Sequence, residues 1–247
     1  MNGLGKLTLT EAKLFLRDKV SPLFALVLPV FLLLAIGLQF RDGGAPGPDP
    51  DGLKAAYFVA SIALALALAT LSFNSLPTYL ATYREKGVLR RLQATPAHPA
   101  MVLVAQIAVG AGTALVSTSV IVVAGHLALD IPLPASVLQF AAALALSIAA
   151  LFSLGLVVAA LAPTARASTA AGMVLFFPSM FLAGVWTPKE TMPSWLAAIS
   201  DYTPLGAALQ TLRDTWSGAG LQPHFVLVLA VTAAVLGSVA AALFRWE

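Results

Sequence analysis

The chain has 247 residues, of which 59% are hydrophobic and only 10% charged, whereas soluble domains run near 45–50% apolar and about 25% charged. A soluble globule of this length leaves about a quarter of its unfolded-chain surface in water, which is too much for so apolar a composition. The solvent must be lipid, and an ordinary soluble enzyme, a disordered chain and a coiled coil are excluded. The lack of cysteine removes disulfides, thiolate metal sites and a cysteine nucleophile, and a net charge of +3 is too small an excess to imply a nucleic-acid partner.

The first element in chain order is an amphipathic lead over residues 4–19. Thr8-Leu-Thr-Glu11 reads as a capping box, a pattern that satisfies two amides at a helix start. Apolar residues fall on two sides, Leu4/Leu7/Leu14/Phe15 and Leu9/Ala12/Leu16, with Lys13 and Arg17 between them. Such a helix is expected to lie along a membrane surface, resting on lipid or on a neighbouring subunit.

A crossing needs about 20 apolar residues to match roughly 30 Å of hydrocarbon. Six stretches qualify: 20–40, 53–81, 100–129, 135–161, 167–188 and 224–244. The second contains SIALALALA, which alternates with a period of two. Its length and Ala/Leu composition favour a helix, because a lone strand leaves its backbone unsatisfied in lipid. Ser61, Ala65 and Ala69 form a small-residue ridge on that span, suited to packing within the subunit or against another copy. Gly110 and Gly112 read as close-packing positions in the third. The connection 41–52 (RDGGAPGPDPDG) is a turn-rich loop. Within 189–220, the apolar pieces 192–199 and 205–212 are too short to cross and read as interfacial or re-entrant helices, with Trp186, Trp195, Tyr202 and Trp216 as boundary anchors. The expected fold is therefore an all-α polytopic membrane protein, a single domain over 1–247.

Lys6, Lys13, Arg17, Lys19, Arg84, Lys86, Arg90, Arg91, Arg166 and Arg245 fall on one side of that layout, against Arg41, Lys54, Lys189 and Arg213 on the other. The positive-inside bias puts both termini in the cytoplasm. The span interiors carry no Asp, Glu, Lys or Arg, which argues against ion-coupled transport. The three histidines lie in separate segments and make no metal-ligand spacing. His126 and Asp130, four residues apart, read as satisfying a span boundary rather than as catalytic groups. Asn74 and Gln106 are polar groups inside spans, available for helix-to-helix bonds or for cargo. No G-x-x-x-x-G-K-[ST] phosphate loop occurs. No catalytic, cofactor or metal site is expected in this chain, and any work it does needs energy from a partner.

The loop after the second span, residues 83–95, places Glu85, Val88, Leu89 and Leu92 on one helical side and Lys86 and Arg90 on another. Pro96 and Pro99 end the helix. Two readings stand: a solvated basic loop lying on lipid headgroups, or a docking peg for another protein. The stretch Arg84-Glu85-Lys86-Gly87-x-x-Arg90-Arg91-Leu92-x-Ala94-Thr95-Pro96 resembles the E-[RK]-G-x-[LF]-[KR]-R-L-x-x-[ST]-P signature of ABC-2 family membrane subunits, especially the short six-span type of antibiotic-resistance and polysaccharide exporters. Phe177-Pro178-x-x-Phe181-Leu182-x-Gly184-Val185-x-x-Pro188-x-Glu190-x-x-Pro193-x-Trp195-Leu196, followed by Pro204-Leu205, is similar to that family's fifth span and return loop.

The resemblance implies the permease subunit of an exporter in the bacterial inner membrane, moving a hydrophobic or amphipathic cargo that is drug-like, lipid or glycan-linked. It implies a coupling helix at Arg84, Glu85, Lys86, Gly87, Val88, Leu89, Arg90, Arg91 and Leu92, seated on an ABC ATPase subunit that binds the ATP and Mg. It also implies a second copy or paralogue, and an outer gate in the hairpin that contains Gly184, Pro188, Pro193, Trp195 and Pro204. One rival is a membrane scaffold or immunity protein that recruits a partner through the same loop. Another is a lipid-modifying membrane enzyme, which needs an acid/base constellation the spans do not offer.

Overall fold

The structure, a computed structural model, describes residues 3–18, 20–41, 53–88, 100–186 and 191–243. Every regular element among them is helical. An amphipathic helix, Gly3–Arg17, called the interface helix after its expected position, precedes six spans: span 1 over 20–41, span 2 over 53–85, span 3 Ala100–Leu129, span 4 Val137–Leu161, span 5 Ala165–Leu182 and span 6 Pro223–Leu243. All six are long and apolar enough to cross a bilayer.

The boundaries moved where local chemistry overrode hydropathy. Span 2 continues four residues beyond the expected end at Ala81, through Glu85, because its last turn is tied to spans 4 and 5. Span 5 starts early, where the Thr164 hydroxyl accepts the Ala167 amide at 3.1 Å, a side-chain N-cap. It stops at Leu182, six residues short of the expected 188, as Gly184 turns into the left-handed region at φ +83. The capping box at Thr8 does not form. The interface helix already runs from Gly3, so Thr8 lies in its interior and donates to Leu4 O (3.0 Å), while Glu11 turns inward.

Burial ranks the spans. Of the most apolar stretch of each, 78% is buried in span 2 and 56% in span 4, against 22% or less in the other four. Span 2 is the central post. Its ridge of Ser61, Ala65 and Ala69 is buried inside the subunit, as close helix packing on small residues requires. Span 6 packs along span 4, span 1 lies between spans 2 and 3, and span 5 rests on the end of span 2 nearest the interface helix. Gly110 abuts Phe152 with no room for a Cβ, whereas Gly112 has nothing within 4 Å of where its Cβ would sit. Only the first of the two expected packing glycines is one.

Spans 1 and 2 each contain one widened, i→i+5 turn, Leu23–Val27 and Thr70–Ser75. Each is followed within two residues by a proline, Pro29 or Pro77, which has no amide to offer the carbonyls four and five residues earlier. Neighbouring spans meet the exposed carbonyls, by a hydrogen bond at span 1 and by close glycine packing at span 2. Buried Ser117 of span 3 donates its hydroxyl to Ala25 O at 2.8 Å. On span 2, the carbonyls of Ser72 and Phe73 press against Gly155 of span 4 and Gly172 of span 5, where any Cβ would collide with them.

Between spans 5 and 6, Ser194–Tyr202 and Pro204–Ser217 fold back on the opposite end of the bundle. The second helix buries Leu205, Ala207, Ala208 and Leu212. Trp186, Trp195 and Tyr202 are exposed, as boundary anchors are, but Trp216 is not one of them. It is 2% exposed, its Nε1 donates to Pro132 O at 2.8 Å, and its ring meets Tyr57 and Phe140 edge-on. It shares the buried face of its helix with Leu205, Ala208 and Leu212, the last of them four residues before it. His126 Nδ1 lies 3.0 Å from Ile131 O, so it satisfies a span end, as expected.

Candidate functional site

Spans 1 and 5 both pack on span 2, on either side of a gap. The gap between them is a cavity of about 610 Å³, within the size range of small-molecule sites. Both widened turns face it, through Phe24 on span 1 and Thr70, Asn74 and Ser75 on span 2; such turns recur at functional sites. Span 5 supplies Thr169, Met173, Phe176 and Phe177. Val20, Phe24, Met173 and Phe177 are largely exposed, so the cavity opens sideways between the two spans.

Asp18 is at the end of the cavity nearest the interface helix. Its Oδ1 accepts the Val20 amide at 3.1 Å, and its Oδ2 accepts the hydroxyls of Ser21 and Tyr79, the latter at 2.7 Å. The Ser21 bond, helped by Tyr79 and the Val20 amide and opposed by partial burial, holds the Asp18 carboxyl below its usual range. Asp18 thus stays an anion stabilised by neutral donors.

The signature segment begins on the last turn of span 2. Arg84 donates from Nη1 to Ala162 O (3.0 Å) and from Nη2 to Ala159 O (2.9 Å), at the C-terminal end of span 4. Glu85 accepts the amide of Ala165, the first residue of span 5, at 3.0 Å. Carbonyls left unpaired at a helix C-terminus carry partial negative charge, and amides at an N-terminus partial positive charge. One adjacent cation and anion therefore clamp the ends of two consecutive spans. Beyond them Lys86 forms a turn and Gly87 takes a left-handed φ of +66, redirecting the chain. Val88 follows in helical conformation, and Leu89, Arg90, Arg91 and Leu92 lie outside the described residues.

A second tie joins the interface helix to the bundle. Glu11, 6% exposed, accepts Tyr83 OH of span 2 and Gln106 Nε2 of span 3, the latter at 2.7 Å. Gln106 is thus a helix-to-helix bond, whereas Asn74 lines the cavity, its Oδ1 buried without a partner. The sequence reading gave Glu11 to a capping box and missed this tie, yet a signal was present: it lies four residues from both Leu7 and Phe15, an acid on the apolar side. The clamp role of Arg84 and Glu85 carried no such signal, because their partners are backbone groups.

The hairpin residues do not converge on one point. Gly184 provides the turn out of span 5, Pro193 caps the first hairpin helix, Trp195 is exposed, and Pro204 occupies the first turn of the second helix behind the Thr203 cap. Pro188 lies outside the described residues.

A lipid-facing six-span bundle with a surface helix, a lateral cavity and a basic segment tied to three spans defines an integral membrane protein of the transporter type. The family description "ABC-2 type transporter" matches residues 4–216, from the interface helix through five spans and both hairpin helices. The chain belongs to the ABC-2 type transporter family and is the permease subunit of an ABC transporter. A search of the curated proteins finds no match. An ABC-2 permease is the transmembrane component, working with an ABC ATPase rather than hydrolysing ATP itself.

Proposed function

We propose that this chain is the membrane half of an exporter in the bacterial inner membrane, with both termini and the segment 83–95 in the cytoplasm. Two copies, or one copy and a paralogue, pair with two ATPase subunits that bind the ATP and Mg. Closure of the ATPases pushes on the segment from Arg84 to Leu92. The Arg84–Glu85 clamp then carries that push from span 2 to spans 4 and 5 together, which changes the gap between spans 1 and 5. Hydrophobic or amphipathic cargo enters that gap sideways and leaves past the hairpin containing Gly184, Pro188, Pro193, Trp195 and Pro204, which acts as the outer gate.

The observation that carries this reading is the clamp: the signature segment is continuous with span 2 and bonded to the ends of two further spans. The test is co-purification with the ATPase and ATP-driven transport by wild type and by a Glu85→Arg/Leu92→Asp double variant. Loss of assembly or of ATP-coupled transport is expected. Intact assembly with unchanged transport overturns the assignment.

A further inference from the structure

We propose that the cavity between spans 1, 2 and 5 selects a lipophilic organic cation, with the charged head at Asp18 and the apolar body among Phe24, Phe176 and Phe177. This rests on the cavity being the cargo site, as above, and adds the class of cargo.

The charge argument is local. Of the described residues that line the cavity, Asp18 is the one bearing a formal charge, and among the described residues its hydrogen-bond partners are an amide and two hydroxyls rather than a cation. Four hydroxyls of the wall add acceptors beside it. Thr82 donates its hydroxyl to Thr78 O and Thr169 to Ala165 O, and the Ser21 and Tyr79 hydroxyls are turned to the Asp18 carboxylate. With those protons committed, what the hydroxyls offer the cavity is lone pairs. Thr70, Ser75 and the Asn74 amide keep donors of their own, so the preference for a cationic head rests on the Asp18 carboxylate, with these lone pairs adding to it.

The body of the ligand is set by the remaining surface. Phe24, Tyr79, Phe176 and Phe177 present aromatic rings, with Phe176 and Phe177 edge-to-face at 5.5 Å. Aromatic faces attract cations as well as apolar groups. About 610 Å³ accommodates a multi-ring molecule, and lateral access between spans 1 and 5 suits a compound that first partitions into lipid.

The experiment uses two probes of nearly the same shape and opposite charge, tetraphenylphosphonium and tetraphenylborate. Saturable, displaceable binding is measured without nucleotide on the permease–ATPase complex in phosphatidylcholine nanodiscs, with empty nanodiscs subtracted. The phosphonium is expected to saturate on wild type and the borate to show no saturable component. Asp18→Asn is expected to weaken the phosphonium at least tenfold and Asp18→Glu to retain most of the affinity, with unfolding temperature and complex assembly recorded for both. Equal saturable binding of the two ions, undiminished phosphonium affinity in a folded Asp18→Asn variant, or no saturable phosphonium binding overturns the proposal. Because no ATP is present, failure here leaves the coupling assignment standing. Failure of the Glu85/Leu92 test likewise leaves this binding result to be read separately.

Discussion

The two ends of span 2 are held by different physics. Near the interface helix, span 2 is secured by directed polar bonds: Tyr83 to Glu11, Tyr79 to Asp18, and Arg84 and Glu85 to the ends of spans 4 and 5. At the hairpin end, Tyr57 packs edge-on against Trp216, and the second hairpin helix buries Leu205, Ala207, Ala208 and Leu212. Packing resists deformation in every direction but has no preferred alternative partner. A few directional bonds at the other end tie particular groups on spans 2, 4 and 5 and the interface helix to one another, which is the arrangement the proposed coupling would use.

The sharpest way to break this contrast is at Trp216. Trp216→Ala leaves a ring-sized hole where three aromatic side chains meet, and is expected to cost about 4 kcal/mol; unfolding in detergent checks it, and the loss is independent of salt. At the other end, Tyr83→Phe combined with Gln106→Leu strips the buried Glu11 carboxyl of two donors. An expected loss of about 3 kcal/mol follows from leaving it unsatisfied, and Glu11→Leu on that background recovers part of it. If the recovery is absent, the polar joint is not what secures the interface helix.

Between these extremes lies the contact of span 2 with span 4. Gly155→Ala forces a Cβ against the Ser72 carbonyl, a backbone atom that cannot swing aside, and overpacking of this kind is expected to cost about 2 kcal/mol. Gly112→Ala, also mid-helix but with open space around it, is the control in the same thermal assay, expected to stabilise by about 0.5–1 kcal/mol through helix propensity alone. The smallest stability effect belongs to the clamp. Glu85 is exposed, and a charge at a helix end contributes about 0.5 kcal/mol and is screened by salt. Glu85→Gln is therefore expected to fold normally while lowering the number of cargo molecules moved per ATP, which paired transport and hydrolysis measurements read directly.

Six spans, the surface helix and the two short hairpin helices were legible because each depends on a property summed over many residues, either hydropathy or helical periodicity. The family was legible because the residue types of the segment after span 2 recur in a recognisable order. What was not legible depended on single long-range pairings. Thr8 and Glu11 satisfied a local capping rule, and the helix that began five residues earlier made the rule irrelevant. Trp216 looked like its three exposed counterparts, because composition does not say which side of an amphipathic helix finds a core. For Arg84 and Glu85, the bonds to Ala159, Ala162 and Ala165 have no sequence signature, since any residue supplies a backbone carbonyl or amide.

By itself, then, the sequence determined the solvent, the number of crossings and the family, because apolar length and motif order are one-dimensional quantities. The tertiary structure decided that span 2 is the central post, that spans 1 and 5 leave a gap beside it, and that Asp18 supplies the charge at the end of that gap. Those are consequences of which helices pack on which, and packing is settled by shape and by the pairing of buried polar groups, neither of which a linear pattern records.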